Sequence, residues 1–353
     1  MNDIKTWLVA MLSLGAAVAA QAETAEPVRA GRLVKYLELP DKRQHAIREL
    51  LRLGEAGVPD LARAMRDPRP EIVRTVAEIL HELGPAAAAA RPALERVAGS
   101  DDERCAFAAR WALRAVGERE GIALVACADR GHAQAVDIET GELRGKPIEL
   151  RKKVFDCERL PGGNLLTTNW GEHDVRELDA DGKVVWKHEG LGSPMDVDVL
   201  ADGNLLIADM GKGVVREIDR AGKTVWEHKS PDSYNANRLP GGNTLVADLR
   251  GYVVEVDRAG KEVWKYECPS AMSAVRLPDG NTLIATWGDQ VLIVTPEERV
   301  VREHKLPFGA YVARMLPDGD LLVGGSGGLI RLGPKGEVKW KQALGSVGSV
   351  ELY

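Results

Sequence analysis

The feature that most constrains this fold is a repeat that begins at a leucine and recurs about every 40 residues. Its copies start at Leu160, Leu200, Leu239, Leu277 and Leu316. Each copy opens with a turn such as LPGGN or LPDGN and continues through short apolar runs separated by further Gly- and Asp-containing turns. Four short antiparallel strands repeated at this period, roughly 40 residues, are typical of a β-propeller blade. The sequence therefore predicts one blade per copy.

Two incomplete copies flank the five complete ones. Ile122–Leu150 aligns with the second, third and fourth strands of a blade and lacks the first strand. Ser346–Tyr353 falls where a first strand would begin. Pairing the two fragments completes a sixth blade and leaves no open sheet edge in the ring. We therefore predict a six-bladed propeller closed by the C-terminal strand.

The segment before the blades has a different pattern. His45–Gly54, Glu71–Gly84 and Cys105–Gly117 each carry apolar residues at helical spacing and end at a glycine, as a helix with a terminal glycine does. These helix pairs resemble HEAT-like repeats. The fold class is thus mixed and multidomain, with N-terminal α-helical repeats followed by an all-β propeller. The charges of residues 23–118 balance, which argues against a nucleic-acid platform because such a surface would carry a basic stripe.

The first 22 residues have the pattern of an export signal. Lys5 precedes an apolar run, Trp7–Val18, and Ala20-Gln21-Ala22 fits a signal peptidase site. The apolar run is short for a membrane span, so cleavage is favoured over an uncleaved anchor. We expect a periplasmic or secreted protein without stable membrane insertion after cleavage. The expected divisions are a signal peptide at 1–22, a helical repeat domain at 23–118 and a propeller at 119–353.

The pattern LPxGNTLIAD…GxVxEVDxxGKxVW resembles the repeats of the PQQ-like and arylsulfotransferase-like superfamily of secreted bacterial propellers. That superfamily includes quinone-dependent dehydrogenases, sulfotransferases and non-catalytic scaffolds. The resemblance implies histidines just before the LPxGN turn of a sulfotransferase, whereas VFDCER, PMDVDV, SYNANR, AMSAVR and AYVARM contain none. A quinoprotein would need eight blades and a calcium ligand set, which six blades without such ligands do not match. We therefore expect no cofactor and no metal.

The cysteines do not form a recognisable motif. Cys105, Cys127, Cys157 and Cys268 lie in different repeats, without metal-binding spacing. Export permits disulfides, and Cys127 and Cys157 fall in neighbouring blades, on a second and a first strand respectively. Buried free thiols remain the favoured interpretation, because two cysteines seldom meet the geometry of a disulfide by chance.

The candidate site lies at one mouth of the propeller channel, where the loops that lead into the first strands meet the loops after the second strands. The residue four places before each turn leucine changes from blade to blade, running Asp, Asp, Asn, Ser and Val. Recognition of an asymmetric ligand would need such variation, whereas a purely structural position tends to keep one residue type. Polar and aromatic side chains together suit a small polar ligand or a peptide. The predicted ligand-binding residues are Asp156, Trp170, Asp196, Tyr234, Asn235, Trp287 and Tyr311.

Two functions are compatible with this sequence. The first is an exported, non-catalytic binding or scaffold protein that presents a propeller and a helical repeat surface to a protein or small polar ligand. The second is a propeller enzyme, arylsulfotransferase-like or a lyase, that acts at the channel mouth. We favour the first, because no catalytic residue can be assigned: histidines are absent from the channel positions, and His173 has no visible nucleophile partner.

Overall fold

The computed structural model describes residues 29–117 and 121–353, with helices first and strands after them. The predicted signal peptide lies outside the described residues. The described helices are α1 (29–36), α2 (Pro40–Leu53), α3 (Val58–Ala64), α4 (Pro70–Leu83), α5 (Arg91–Ala98) and α6 (Glu103–Val116). Together they form the helical domain, as the repeat pattern predicts.

The helix ends follow from local chemistry. Proline occupies the first turn of α2 and of α4, where its missing N–H is not needed. Gly54 and Gly84 end these helices at a φ of 56°, a backbone conformation that favours glycine. At the start of α6, the Asp102 side chain accepts a hydrogen bond of 2.8 Å from the Cys105 N–H. Helix faces such as Leu50 of α2 and Leu80 of α4 are fully buried in one shared core.

The strands form six antiparallel sheets of four, each a blade. In each blade the first strand named here is the innermost. Blade 1 is β24 (Val347–Leu352), β1 (Ile122–Cys127), β2 (His132–Asp137) and β3 (Leu143–Glu149); blade 2 is β4 (Cys157–Arg159), β5 (Leu165–Asn169), β6 (Asp174–Leu178) and β7 (Val184–His188); blade 3 is β8 (Pro194–Val199), β9 (Leu205–Asp209), β10 (Val214–Ile218) and β11 (Thr224–Lys229).

The remaining three blades continue the same order. Blade 4 is β12 (Ser233–Arg238), β13 (Thr244–Asp248), β14 (Tyr252–Val256) and β15 (Glu262–Glu267); blade 5 is β16 (Ala271–Arg276), β17 (Thr282–Thr286), β18 (Gln290–Val294) and β19 (Val300–Lys305); blade 6 is β20 (Ala310–Met315), β21 (Leu321–Gly325), β22 (Gly328–Leu332) and β23 (Val338–Gln342). The six-bladed fold predicted from the repeat is confirmed.

The ring is joined by β24, which pairs antiparallel with β1 so that Val350 lies opposite Val125. The Tyr353 N–H extends the ladder with a hydrogen bond of 2.8 Å to the Ile122 carbonyl. Val347 and Val350 are almost fully buried against blades 1 and 6. The C-terminal strand therefore supplies both the hydrogen bonds and the apolar contacts that connect the last blade to the first.

A tryptophan in the outer strand ties each of four blades to the next. The indole N–H donates a hydrogen bond of 3.0 Å to a main-chain carbonyl of the following blade. The four pairs are Trp186 with Arg220, Trp226 with Arg258, Trp264 with Pro296, and Trp340 with Ile138. This explains why tryptophan recurs at one place in the repeat. The four cysteines are buried and free.

The helical domain sits on the turns between the first and second strands of the blades. Gln44 donates a hydrogen bond of 3.0 Å to the Gly241 carbonyl, and the Gly241 N–H donates one of 3.2 Å to the Glu78 carboxylate. Ala201, in the corresponding turn of blade 3, is buried in the core of the helical domain. Phe107 of α6 packs on the core shared by blades 2 and 3. Helices therefore cover one mouth of the propeller.

Gly241 lies in close contact with α2 in this docking. Its φ is 83°, and a β-carbon there would overlap the Ile47 side chain. We expect Gly241→Ala to lower the free energy of unfolding by about 2 kcal/mol, since it combines backbone strain with a clash. Denaturant unfolding measures the change. Gly162→Ala is the matched control, because Gly162 occupies the same turn position in blade 2 with open space around it. Equal effects of the two substitutions would contradict the assigned role of Gly241.

Candidate functional site

The inner strands of blades 3 to 6 share a β-bulge near their start. The ladder skips one residue between Pro194 and Asp196, and it skips the equivalent residue in the other three blades. A bulge leaves the skipped residue unpaired and re-aims its side chain. The skipped residues are Met195, Tyr234, Met272 and Tyr311.

These side chains close the channel at that end. Met195, Met272 and Tyr311 are buried in one cluster with Phe155, which holds the equivalent place in blade 2, and Tyr234 packs against them. The Phe155 ring meets the Tyr234 ring edge-on, with centroids 5.0 Å apart, and lies 5.8 Å from the Tyr311 ring. We call these five residues the plug.

Blade 1 contributes no side chain to the plug. Its equivalent residue is Gly348, which the ladder between β24 and β1 also skips. A β-carbon at Gly348 would overlap the carbonyl oxygen of Phe155. The five large side chains of the plug therefore fit in the channel only because blade 1 has a glycine at the equivalent position.

Two exposed tryptophans lie outside the plug. Trp287 is 55% exposed, and its ring stacks on Tyr311 with centroids 5.3 Å apart. Trp170 is 38% exposed and carries the Lys153 ammonium 4.8 Å from its ring centroid. Lys153 itself adopts a φ of 73°, which is uncommon for a residue other than glycine. Trp287, Tyr311, Phe155 and Tyr234 thus form a continuous aromatic run from the surface into the plug.

The three polar residues of the predicted site lie one position further along the inner strands. An Asp156 carboxylate oxygen accepts the Val197 N–H at 3.0 Å, and Asp196 accepts the Ala236 N–H at the same distance. The Asn235 side-chain oxygen accepts the Ala274 N–H at 3.1 Å, which ties blade 4 to blade 5. These side chains join neighbouring inner strands, a role that also accounts for their polarity.

The seven predicted residues therefore lie at two different depths along the channel. The aromatic ones, Trp170, Tyr234, Trp287 and Tyr311, belong to the plug or to the surface around it. Asp156 and Asp196 line a cavity that opens toward the opposite mouth, under the helical domain. The structure thus brings the aromatic run together and separates it from the carboxylates.

This cavity, which we call the acidic cavity, has a volume of about 770 Å³. It lies between the C-terminal end of α4, the C-terminal end of α6 and the inner strands. Its lining is rich in carboxyl groups, and it shares Glu82, Glu158 and Asp198 with an adjoining cavity of about 370 Å³. Sequence reasoning missed this site because Glu78 and Glu82 of α4 come close to the propeller only through domain docking. Two glutamates spaced four apart on an amphipathic helix were the available signal.

Burial changes the acidity of this lining. It raises the pKa of Asp156 to about 7, with the Asp196 charge adding to the effect. It also raises the pKa of Asp196 and of Asp198 to about 7, each next to another aspartate. The pKa of Glu82 rises to about 7 for the same reason, with the Glu78 charge adding to the effect. These groups face cavity space but are surrounded by protein, which removes most of their bulk solvation.

The repeat region matches a known protein family. The family profile described as outer membrane protein assembly factor BamB matches residues 129–342, more than half of the chain. The chain belongs to this family. A HEAT repeats profile matches residues 32–136. The PQQ-like and HEAT-like resemblances inferred from the sequence are confirmed, and no curated protein matches the chain.

Solved structures similar to this BamB-family chain are propeller proteins of low identity. A protein of unknown function from Bacteroides caccae is 18% identical, with a TM-score of 0.54 over 65% of this chain and 97% of that one. A streptogramin B lyase is 12% identical, with a TM-score of 0.49 over 64% of this chain and 80% of that one. At these identities the likeness concerns the fold alone.

Two further observations bear on the site. Within residues 29–117 and 121–353, no group of three or more His, Cys, Asp or Glu side chains is arranged to hold a metal ion. In the same residues, no helix is both long and apolar enough to cross a membrane.

Proposed function

We propose that this chain is an exported, non-catalytic binding protein whose plugged propeller face docks a protein partner. The observation that carries the proposal is the aromatic run from Tyr234 through Phe155 and Tyr311 to Trp287, which closes the channel and ends in an exposed indole. Exposed Trp and Tyr side chains on a rigid support are the residues that most often dominate protein–protein binding energy.

The closed channel favours a protein over a small molecule at this face. A small polar ligand would need a concave site, whereas the plug fills the channel with Phe155, Met195, Met272, Tyr234 and Tyr311. Asp156 and Asp196 would meet such a ligand only from the helical side. Asn235 is buried, donates to Asp196 and accepts from the Ala274 N–H. An enzyme at the mouth is less well supported, because the described inner strands carry no histidine.

The exposed side chains on the plugged face indicate which chemical groups a partner would need. Trp287 presents an apolar surface, and Lys153, which has an uncommon backbone conformation, places its ammonium over the Trp170 ring. A partner with apolar side chains for Trp287 and a carboxylate for Lys153 fits both. The signal-like residues 1–22 and the name of the family support a place among exported envelope proteins.

Trp287→Ala tests the proposal. We expect at least a roughly tenfold loss of partner recovery, because removing a central aromatic anchor costs about 2 kcal/mol or more of binding free energy. The measurement is photo-crosslinking from a probe residue beside position 287 in cells exporting the full chain, followed by identification of the crosslinked protein.

Val301→Ala is the matched control. Val301 is 59% exposed in the same blade but lies on its outer strand, β19, away from the plugged face. It should leave crosslinking unchanged, and both variants should keep the melting temperature of the native chain. Recovery of one partner in equal yield from both variants would refute docking at this face.

A further inference from the structure

The acidic cavity and the cavity that adjoins it collect carboxyl groups from the helical domain and from the propeller. Glu78 and Glu82 come from α4, Asp156 and Glu158 from blade 2, and Asp196 and Asp198 from blade 3. The first pair belongs to the helical domain and the others to the propeller. Ionisation of this lining therefore places like charges on both sides of one interface.

The interface that holds these groups combines polar bonds with apolar contacts. Its direct bonds include the Gln44 and Glu78 contacts to Gly241 and the Arg114–Glu351 ion pair at 2.5 Å. Apolar contact comes from Phe107 and Trp111 of α6 against the core of blades 2 and 3, and from Ala201 of the propeller in the core of the helical domain. Such an interface can open without unfolding either domain, since each has its own core.

We propose that the helical domain is a pH-sensitive cap, docked on the propeller while the carboxyl groups of the cavity are protonated and loosened when they ionise. The proposal goes beyond partner binding, because it concerns the opposite mouth of the ring.

Cations and further acids surround the lining. Arg314 of β20 is the central cation, and it lowers the pKa of Asp156, Asp196, Asp198 and Glu82 without reversing the upward shift caused by burial. The other ionisable or charged groups around the two cavities, grouped by element, are Arg43 of α2; Glu71, Arg74 and His81 of α4; Arg114 of α6; Cys157 of β4; Asp202 after β8; Glu217 of β10; Arg238 of β12; Arg258 after β14; Arg276 of β16; Asp279 after β16; and Glu351 of β24.

Most of these cations are already engaged by other acids. Arg238 pairs with Glu217 and Arg276 pairs with Glu255, each at 2.8 Å. Arg114 pairs with Glu351. The carboxyl groups of Glu82 and Asp198 therefore rely mainly on protonation to avoid mutual repulsion across the interface.

The direction of the pH dependence follows from proton binding. A carboxyl group whose pKa is about 7 when the cap is docked returns toward its ordinary value near 4 when the cap opens to water. Between these pH values the docked state binds more protons than the open state. Docking is therefore strongest below about pH 4, weakens as the pH rises through about 7 and stays weak above it.

The test is hydrogen–deuterium exchange of the full mature chain at pH 5 and pH 8, corrected for intrinsic exchange rates. We expect the protection factor of the Gly241 amide and of α4 amides to fall at least about tenfold at pH 8. The reason is that one proton released on opening shifts the equilibrium toward the open cap by roughly a factor of ten for each pH unit. Amides of the central strand β9 should keep their protection, which separates opening of the cap from global unfolding.

A charge-free variant identifies the groups responsible. Glu82→Gln with Asp198→Asn removes one charge from each side of the interface and keeps side-chain size. We expect a smaller loss of protection between the two pH values than in the native chain, because two of the ionising groups are gone while Asp156 and Asp196 remain. The exposed control Glu267→Gln should respond as the native chain does. If the double variant does not fold, Glu82→Gln alone should show an intermediate loss.

Two results would overturn the proposal. One is native-chain protection at Gly241 that stays constant between pH 5 and pH 8. The other is a native-like loss in the double variant, which would show that Glu82 and Asp198 do not control the docking.

Discussion

Removing Ser346–Tyr353 should cost at least about 5 kcal/mol of unfolding free energy and lower the melting temperature of the propeller by roughly 10 to 20 °C. The deletion eliminates β24, exposes the ladder edge of β1 and uncovers the apolar residues that Val347 and Val350 bury. Glu351 is lost as well, so Arg114 of the helical domain loses its ion pair and the Arg159 N–H loses its acceptor.

Thermal unfolding followed by circular dichroism measures this effect. Removal of Tyr353 alone is the control, since it leaves all the paired residues of β24 in place. We expect a shift of only a few degrees from that control. A full deletion that melts with the control would mean that the ring does not depend on β24.

Gly348→Leu should cost about 3 to 5 kcal/mol, at the upper end for a single substitution. Any side chain at this position overlaps the Phe155 main chain, and a leucine would also compete with the five side chains of the plug. Neither the backbone of blade 2 nor a closed ring of inner strands can move far enough to make room.

Urea unfolding at constant pH measures the loss, with Gly162→Ala as a control substitution in open space. The near-ultraviolet signal of Phe155, Tyr234 and Tyr311 should change together with stability, because their ring contacts define the plug. Native stability in the leucine variant would show that the channel end is loosely packed.

The period of the sequence was enough to predict the blades. The spacing of Leu160, Leu200, Leu239, Leu277 and Leu316 determines how often an inner strand recurs, and the two flanking fragments determine how many blades there are. Repeats carry this information because each unit contacts mainly its neighbours.

The plug was only partly predictable. The sequence singled out Tyr234 and Tyr311 of the plug, but simple alternation puts each of them and the next residue on opposite faces of a strand. The bulge at Tyr234 and its counterparts turns both residues to the channel side. Nothing in the local pattern of Ser233–Arg238 indicates where the ladder will skip.

The acidic cavity was not predictable from the repeats. It exists because α4 lies over the turns of the propeller, and that placement depends on a few contacts, such as Gln44 and Glu78 with Gly241. Gly241 departs from the Asp found at the same turn position in blades 3, 5 and 6, a difference that becomes meaningful only once the docked helix is known.

The pairing of β24 with β1 also sets the order of folding events. β1 is synthesised early, whereas its partner Val347–Leu352 lies at the far end of the chain. Contacts between such distant segments form slowly because a long loop must close first. Until then Ile122–Cys127 is an apolar strand with a free edge, which is the kind of segment that aggregates. Protection of nascent blade 1 should therefore limit the yield of folded protein more than the stability of the finished ring does.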